Sequence, residues 1–143
     1  MEPHVKLWLE EDGRLVLSDY RARLLQLVHD SGSLAQAAAA MGLSYRRAWG
    51  KVRELERNLG VPLVQSDVGG TGGGRSRLTG EAAALLRQYD AFTFDLTVEM
   101  ALLRDRHFGD RFGRPAPHAG LRESGEQIEP VANDPVDPPG GEL

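Results

Sequence analysis

Gly42-Leu43-Ser44-Tyr45-Arg46-Arg47-Ala48-Trp49, set between the alanine-rich run Ser33–Met41 and the charged run Gly50–Gly60, decides how this chain is organised. Ser33 is placed to cap a helix over Leu34–Met41, because a serine oxygen can accept one of the backbone N–H groups that a first helical turn leaves unpaired. Gly42 supplies the left-handed residue that stops that helix. A third helix is predicted over Tyr45–Leu59, ended by Gly60 and Pro62. Only Gly42-Leu43-Ser44 separates the two, and two helices joined by so short a glycine-containing turn are the signature of a helix-turn-helix.

Outward from this pair, the pattern changes period. Toward the N-terminus, Val5–Leu17 alternates in part around Glu11-Asp12-Gly13-Arg14, which reads as a β-hairpin. Ser18 or Asp19 then caps a first helix carrying Leu24, Leu27 and Val28 and ending before Ser31-Gly32. Beyond Pro62, Leu63–Ser66 and Ser76–Leu78 read as two short strands around a loop containing Gly69, Gly70, Thr71, Gly72, Gly73 and Gly74, the expected wing. Thr79 caps a long helix reaching about Phe108, with Ala83, Leu86, Tyr89, Ala91, Leu96, Met100 and Leu103 as its apolar positions. From Gly109 onward proline, glycine and acidic residues dominate and no apolar period survives, so that tail is expected to be disordered.

The fold class predicted is mainly α with small β-hairpins: a winged helix-turn-helix over residues 1–80, a long dimerisation helix over 81–108, and an acidic tail over 109–143. Leu86, Tyr89, Leu96, Met100 and Leu103 are the residues expected to pair two copies, because a helix of that length carries more apolar surface than so small a domain can cover.

The third helix has two faces. Ala48, Val52, Leu55 and Leu59 recur at spacings of four, three and four and form a stripe for the core. Opposite them lie Arg46, Arg47, Gly50, Lys51, Arg53 and Arg57, with Glu54 and Glu56 as the acidic members. Trp49, beside the stripe, is expected to pack as core. In helix-turn-helix proteins the N-terminal residues of the second helix approach base edges, so Ser44, Tyr45, Arg46, Arg47, Lys51 and Arg53 are the expected DNA contacts there. Arginine can bridge guanine O6 and N7, whereas serine and tyrosine hydroxyls more often hold phosphates. Arg75 and Arg77 would carry the wing toward the DNA backbone or minor groove. The alternative, a merely solvated charged face, is outweighed by the preceding helix, tight turn and following wing.

A net charge of −4 conceals segregation along the chain. Residues 18–80 hold nine basic side chains against five acidic, or +4, while residues 114–143 hold two against six, or −4. A phosphate backbone responds to the local field, since charges beyond about 10 Å are screened. With no cysteine, the chain has no disulfide, thiolate metal site or cysteine nucleophile. His4, His29, His107 and His118 are too scattered to pair as ligands, so no metal and no cofactor is expected. The glycine run lacks the Gly-Lys-Ser/Thr ending of a phosphate-binding loop, and no nucleophile–base set is visible, so no enzymatic activity is expected. No apolar run approaches the ~20 residues of a membrane span, and a cytoplasmic location is the default.

The segments Gly32-Ser33-Leu34, Ala37-Ala38, Gly42–Trp49, Leu63-Val64, Gly69–Gly74 and Leu78-Thr79 together resemble the N-terminal DNA-binding domain of ModE-type molybdate-responsive regulators. Leu55-Glu56, Leu59-Gly60 and Pro62-Leu63 also resemble the broader LysR-type winged helix. The likeness covers roughly residues 5 to 108, and it implies a homodimer paired through the long helix. Members that sense molybdate do so through C-terminal oxyanion-binding modules, and residues 109–143 are too few and too rich in proline and acid to form one. The expectation is therefore a homodimeric, sequence-specific regulator of double-stranded DNA without its own molybdate sensor, its effector unassigned. A non-specific architectural DNA-binding protein and a winged-helix adaptor for other proteins are the alternatives.

Overall fold

A computed structural model of the chain describes residues 1–67 and 74–109. Strands β1 (Trp8–Glu11) and β2 (Arg14–Ser18) are followed by helices α1 (Asp19–Ser31), α2 (Leu34–Ala40) and α3 (Tyr45–Leu59). Strands β3 (Val64–Ser66) and β4 (Ser76–Leu78) precede the long helix α4 (Gly80–Phe108). The two antiparallel hairpins, β1–β2 and β3–β4, form separate two-stranded sheets. The architecture is the mainly helical winged helix-turn-helix that the spacing predicts.

Local chemistry accounts for the element boundaries. Asp12 and Gly13, at φ 52° and 74°, place both central residues of the first turn in the left-handed region. That geometry matches the twist of a two-residue hairpin. Ser18, Ser33, Ser44 and Thr79 each lend a side-chain oxygen to a backbone N–H of the first turn of α1, α2, α3 and α4 respectively. Helix α2 closes at Ala40, one residue before the predicted end, with Met41 as its cap and Gly42 taking the left-handed turn.

The core lies where α1, α2, α3 and the start of α4 converge. Leu17, Leu24, Leu25, Val28, Leu34, Val52, Leu55 and Leu63 are its fully or almost fully buried large members. Ala37, Ala38 and Ala48 are buried too, and such small side chains let α2 and α3 approach closely. Leu59 of the predicted stripe is half-buried and packs against this cluster.

Helix α4 corrects part of the expected pairing surface. Leu86 and Tyr89 are only 6% and 5% exposed and belong to the domain's own core with Ala82, because the first turns of α4 pack on the headpiece. Past them the helix leaves that core, and Phe92, Phe94, Val98, Leu102, Leu103 and Phe108 are exposed. Leu96 and Met100 are half-buried. The wing residues Gly69, Gly70, Thr71, Gly72 and Gly73, and the tail from 110 onward, lie outside the described residues. No described helix is long and apolar enough to cross a membrane.

Candidate nucleic-acid interface

Helix α3 is held from three sides. Arg21 on α1, almost completely buried, forms an ion pair with Glu54 at 2.5 Å. Asn58 donates through Nδ2 to the carbonyl of Leu15, 2.8 Å away, tying α3 to the first hairpin. Glu56, itself buried, turns toward the second hairpin: its Oε1 accepts from the Leu63 N–H at 2.8 Å and the Val64 N–H at 3.3 Å. Both backbone donors sit where β3 begins, beyond reach of any helical acceptor, so the carboxylate satisfies groups that would be costly to bury unpaired.

These contacts change the electrostatic reading of the helix. Glu54 and Glu56 were the two acidic residues among its cations; Glu56 is buried, and Glu54, half-buried, is paired with Arg21. Arg46, Arg47, Arg53 and Arg57 are exposed. The two acids of α3 are thus engaged, Glu54 with Arg21 and Glu56 with the backbone of Leu63 and Val64 and with Arg53. Arg21, conversely, contributes less to the local field than a count of basic residues implies, because it is buried against Glu54.

Ser44 occupies the N-cap, accepting from the Arg47 N–H at 3.2 Å, which leaves its O–H hydrogen to donate outward. Tyr45 is exposed and meets Trp49 edge to face, with ring centroids 6.3 Å apart. The Arg53 guanidinium lies over the Trp49 ring at 4.9 Å and bonds Glu56 Oε2 at 3.0 Å. Trp49 is half-buried rather than fully interior, packed against the core on one side and covered by Arg53 on the other. Lys51 lies over the Tyr20 ring of α1 at 5.1 Å. Of the six residues expected on α3, Ser44, Tyr45, Arg46 and Arg47 are exposed at its N-terminal end, while Lys51 lies on the flank toward α1 and Arg53 on the flank of Trp49.

At the wing, Arg75 and Arg77 are both exposed. The Arg75 carbonyl accepts from the Asp67 N–H at 2.8 Å, closing the base of the hairpin. Arg77 pairs with the Asp67 carboxylate at 3.3 Å, an exposed contact worth little in water. Gly74 is a required glycine, since a Cβ there would stand 2.8 Å from the Asp67 carbonyl oxygen. The Ser76 N–H donates to the Gly32 carbonyl at 2.9 Å, and the Thr79 hydroxyl donates to the Pro62 carbonyl at 2.7 Å. The wing base is thus fixed to the same frame that fixes α3.

Residue spacing identified the cationic face of α3, but not the partners that remove its two acids. Arg21 comes from α1 and the two backbone donors from the entry to β3, which no local pattern announces; only the Arg53–Glu56 pair, three residues apart on α3, is local.

Residues 21–83 match the family described as bacterial regulatory helix-turn-helix protein, lysR family. The chain is 32% identical over 90 residues to the transcriptional regulator ModE of Yersinia pestis, covering 63% of this chain and 34% of that protein. It is 34% identical over 97 residues to the molybdenum-pterin-binding protein MopA of Rhodobacter capsulatus, covering 68% and 37% respectively. With the DNA-binding transcriptional dual regulator ModE of Escherichia coli (strain K12) it shares 33% identity over 90 residues, covering 63% and 34%. The chain therefore spans little more than a third of the length of these relatives. A solved structure of the CbnR_DBD–DNA complex is similar with a TM-score of 0.48 and 20% identity, over 62% of this chain and 95% of that one. Residues 21–83 thus match the LysR-type helix-turn-helix family, within a longer stretch similar to ModE-type regulators.

Proposed function

We propose that the protein is a sequence-specific, double-stranded-DNA-binding transcription regulator that works as a homodimer, with α3 entering the major groove. The observation that carries this reading is the outward face of α3, where Arg46, Arg47, Arg53 and Arg57 stand exposed while Glu56 is buried and Glu54 is paired with Arg21. Such a face presents a cationic surface to a polyanion, and a helix is the right width for the major groove. Ser44, Tyr45, Arg46, Arg47 and Lys51 are the residues assigned to the DNA at the start of α3, with Arg53 further along. Arg75 and Arg77 are assigned to backbone contacts from the wing. Two such headpieces joined through the exposed part of α4 would present their reading helices to successive major grooves, about 34 Å apart, on a pseudo-palindromic site.

Gel-shift titration on fragments from the protein's own upstream region tests this reading. Binding should weaken steeply with added salt and prefer one fragment over random DNA. Arg46→Ala should weaken specific binding by about 1–3 kcal/mol and relax preference at one base position. Equal affinity for every fragment would replace the reading with a non-specific architectural role, and no salt-sensitive binding would end it.

A further inference from the structure

Among the described residues, most glycines have a reason inside the chain. Gly13, Gly32, Gly42 and Gly60 adopt left-handed backbone that other residues rarely take. Gly74 and Gly109 face backbone oxygens, Asp67 and Asp105, that an added Cβ would strike. Gly80, the first residue of α4, has the same open space around it but stands at a helix end rather than in a helix interior.

Gly50 is different. It lies in the interior of α3 with helical backbone, and beyond its chain neighbours and the adjoining backbone of its own helix, no described atom stands within 4 Å of where a Cβ would be. Glycine is a poor helix former because it gives up the most backbone freedom and contributes no side chain, so the fold alone favours alanine here. The position also sits at the centre of the outward face: 46, 50, 53 and 57 recur at spacings of four, three and four, opposite the buried stripe of Ala48, Val52, Leu55 and Leu59.

We infer that Gly50 is the point of closest approach between α3 and the DNA, where the helix backbone itself packs against a base-pair edge on the floor of the major groove. The missing side chain is explained by an external surface, since nothing within the described chain occupies its place. A methyl group at this point would hold the helix away from the groove floor and shorten the reach of the flanking arginines. The inference rests on the DNA-binding reading and adds a specificity-determining position to it.

Gly50→Ala separates the two interests. The variant should melt about 4–8 °C higher if the full propensity gain is realised in a headpiece of this size. Its affinity for the preferred fragment should fall at least tenfold, while affinity for random DNA, carried by phosphate contacts, should change less than twofold. A variant that is more stable and binds the preferred fragment as the parent does overturns the inference. So does a lower melting temperature, which would mean that glycine serves the fold, and so does an equal loss on both DNAs, which would place the contact away from base edges. If the parent protein itself shows no preferred fragment, it is the DNA-reading proposal that fails, and the parent titration reports this separately from the variant.

Discussion

Gly80–Tyr89 and Asp90–Phe108 are two parts of one continuous helix with opposite relations to the rest of the molecule. In the first part Ala82, Leu86 and Tyr89 close the core of the headpiece, none more than 6% exposed. In the second, Phe94 is 68% exposed, Leu102 53% and Phe108 54%. Burying a phenylalanine or leucine is worth about 1.5–3 kcal/mol, so the second part leaves several such contributions unrealised in a single chain. Its helix persists although it buries little. The difference teaches that the headpiece is complete without a partner, whereas the outer helix presents a surface whose burial must come from elsewhere; in the proposal above, from a second copy.

The comparison predicts very different costs for the same chemical change. Leu55→Ala, in the interior between α3 and its neighbours, should destabilise the headpiece by about 2–5 kcal/mol in chemical denaturation, because it removes buried methyl groups and leaves a cavity. Leu102→Ala should change the stability of the dilute, monomeric chain by less than about 0.5 kcal/mol, as expected of an exposed position. Similar losses at the two sites would show that the outer helix is already covered within one chain.

Phe94→Glu sharpens the contrast from the other side. Phe94, Val98 and Leu102 recur every four residues and so share one face of α4. A carboxylate in the middle of a paired apolar face must be desolvated, and the dimer should dissociate at concentrations where the parent stays paired. Light scattering would show the change in mass, circular dichroism an intact helical headpiece, and gel shift a loss of about 100-fold on a two-half-site fragment with little loss on a single half-site. An unchanged mass would remove this face from the proposed pairing.

Most of the fold was legible because its boundaries are set by local chemistry. Ser33, Thr79, Gly42 and Gly60 announce themselves at helix ends whatever surrounds them, and the stripe Ala48-Val52-Leu55 identifies the inward side of α3 by spacing alone. Long-range pairings were not legible in the same way. Arg21 looks like any surface cation until α1 crosses α3 and sets it against Glu54. Glu56 looks like a solvated acid until the turn after Pro62 brings two backbone donors to it. Leu86 and Tyr89 share the apolar period of the whole long helix, so period alone could not say which part of α4 belonged to the headpiece.

The joint between the two parts of α4 allows a test that reads pH as well as stability. The Tyr89 hydroxyl donates to Asp19 Oδ1 at 2.5 Å, while Asp19 Oδ2 accepts from the Leu7 N–H at 3.4 Å. One carboxylate at the start of α1 thus ties the long helix to the segment leading into the first hairpin. Burial, reinforced by the hydrogen bond to Asp19 and its negative charge, pushes the Tyr89 hydroxyl well above its ordinary titration range. Its proton is therefore held more tightly in the folded chain than in the unfolded one. Below about pH 10 that stabilisation is fully present, and it is lost as pH climbs beyond the unfolded value. Tyr89→Phe should cost about 1–2 kcal/mol at neutral pH through the lost hydrogen bond. The cost should shrink steadily above about pH 10, so that the stability curves of parent and variant converge toward alkaline pH. Parallel curves through that range would mean that Tyr89 does not join the outer helix to the headpiece through its proton, and that apolar packing of its ring does the work alone.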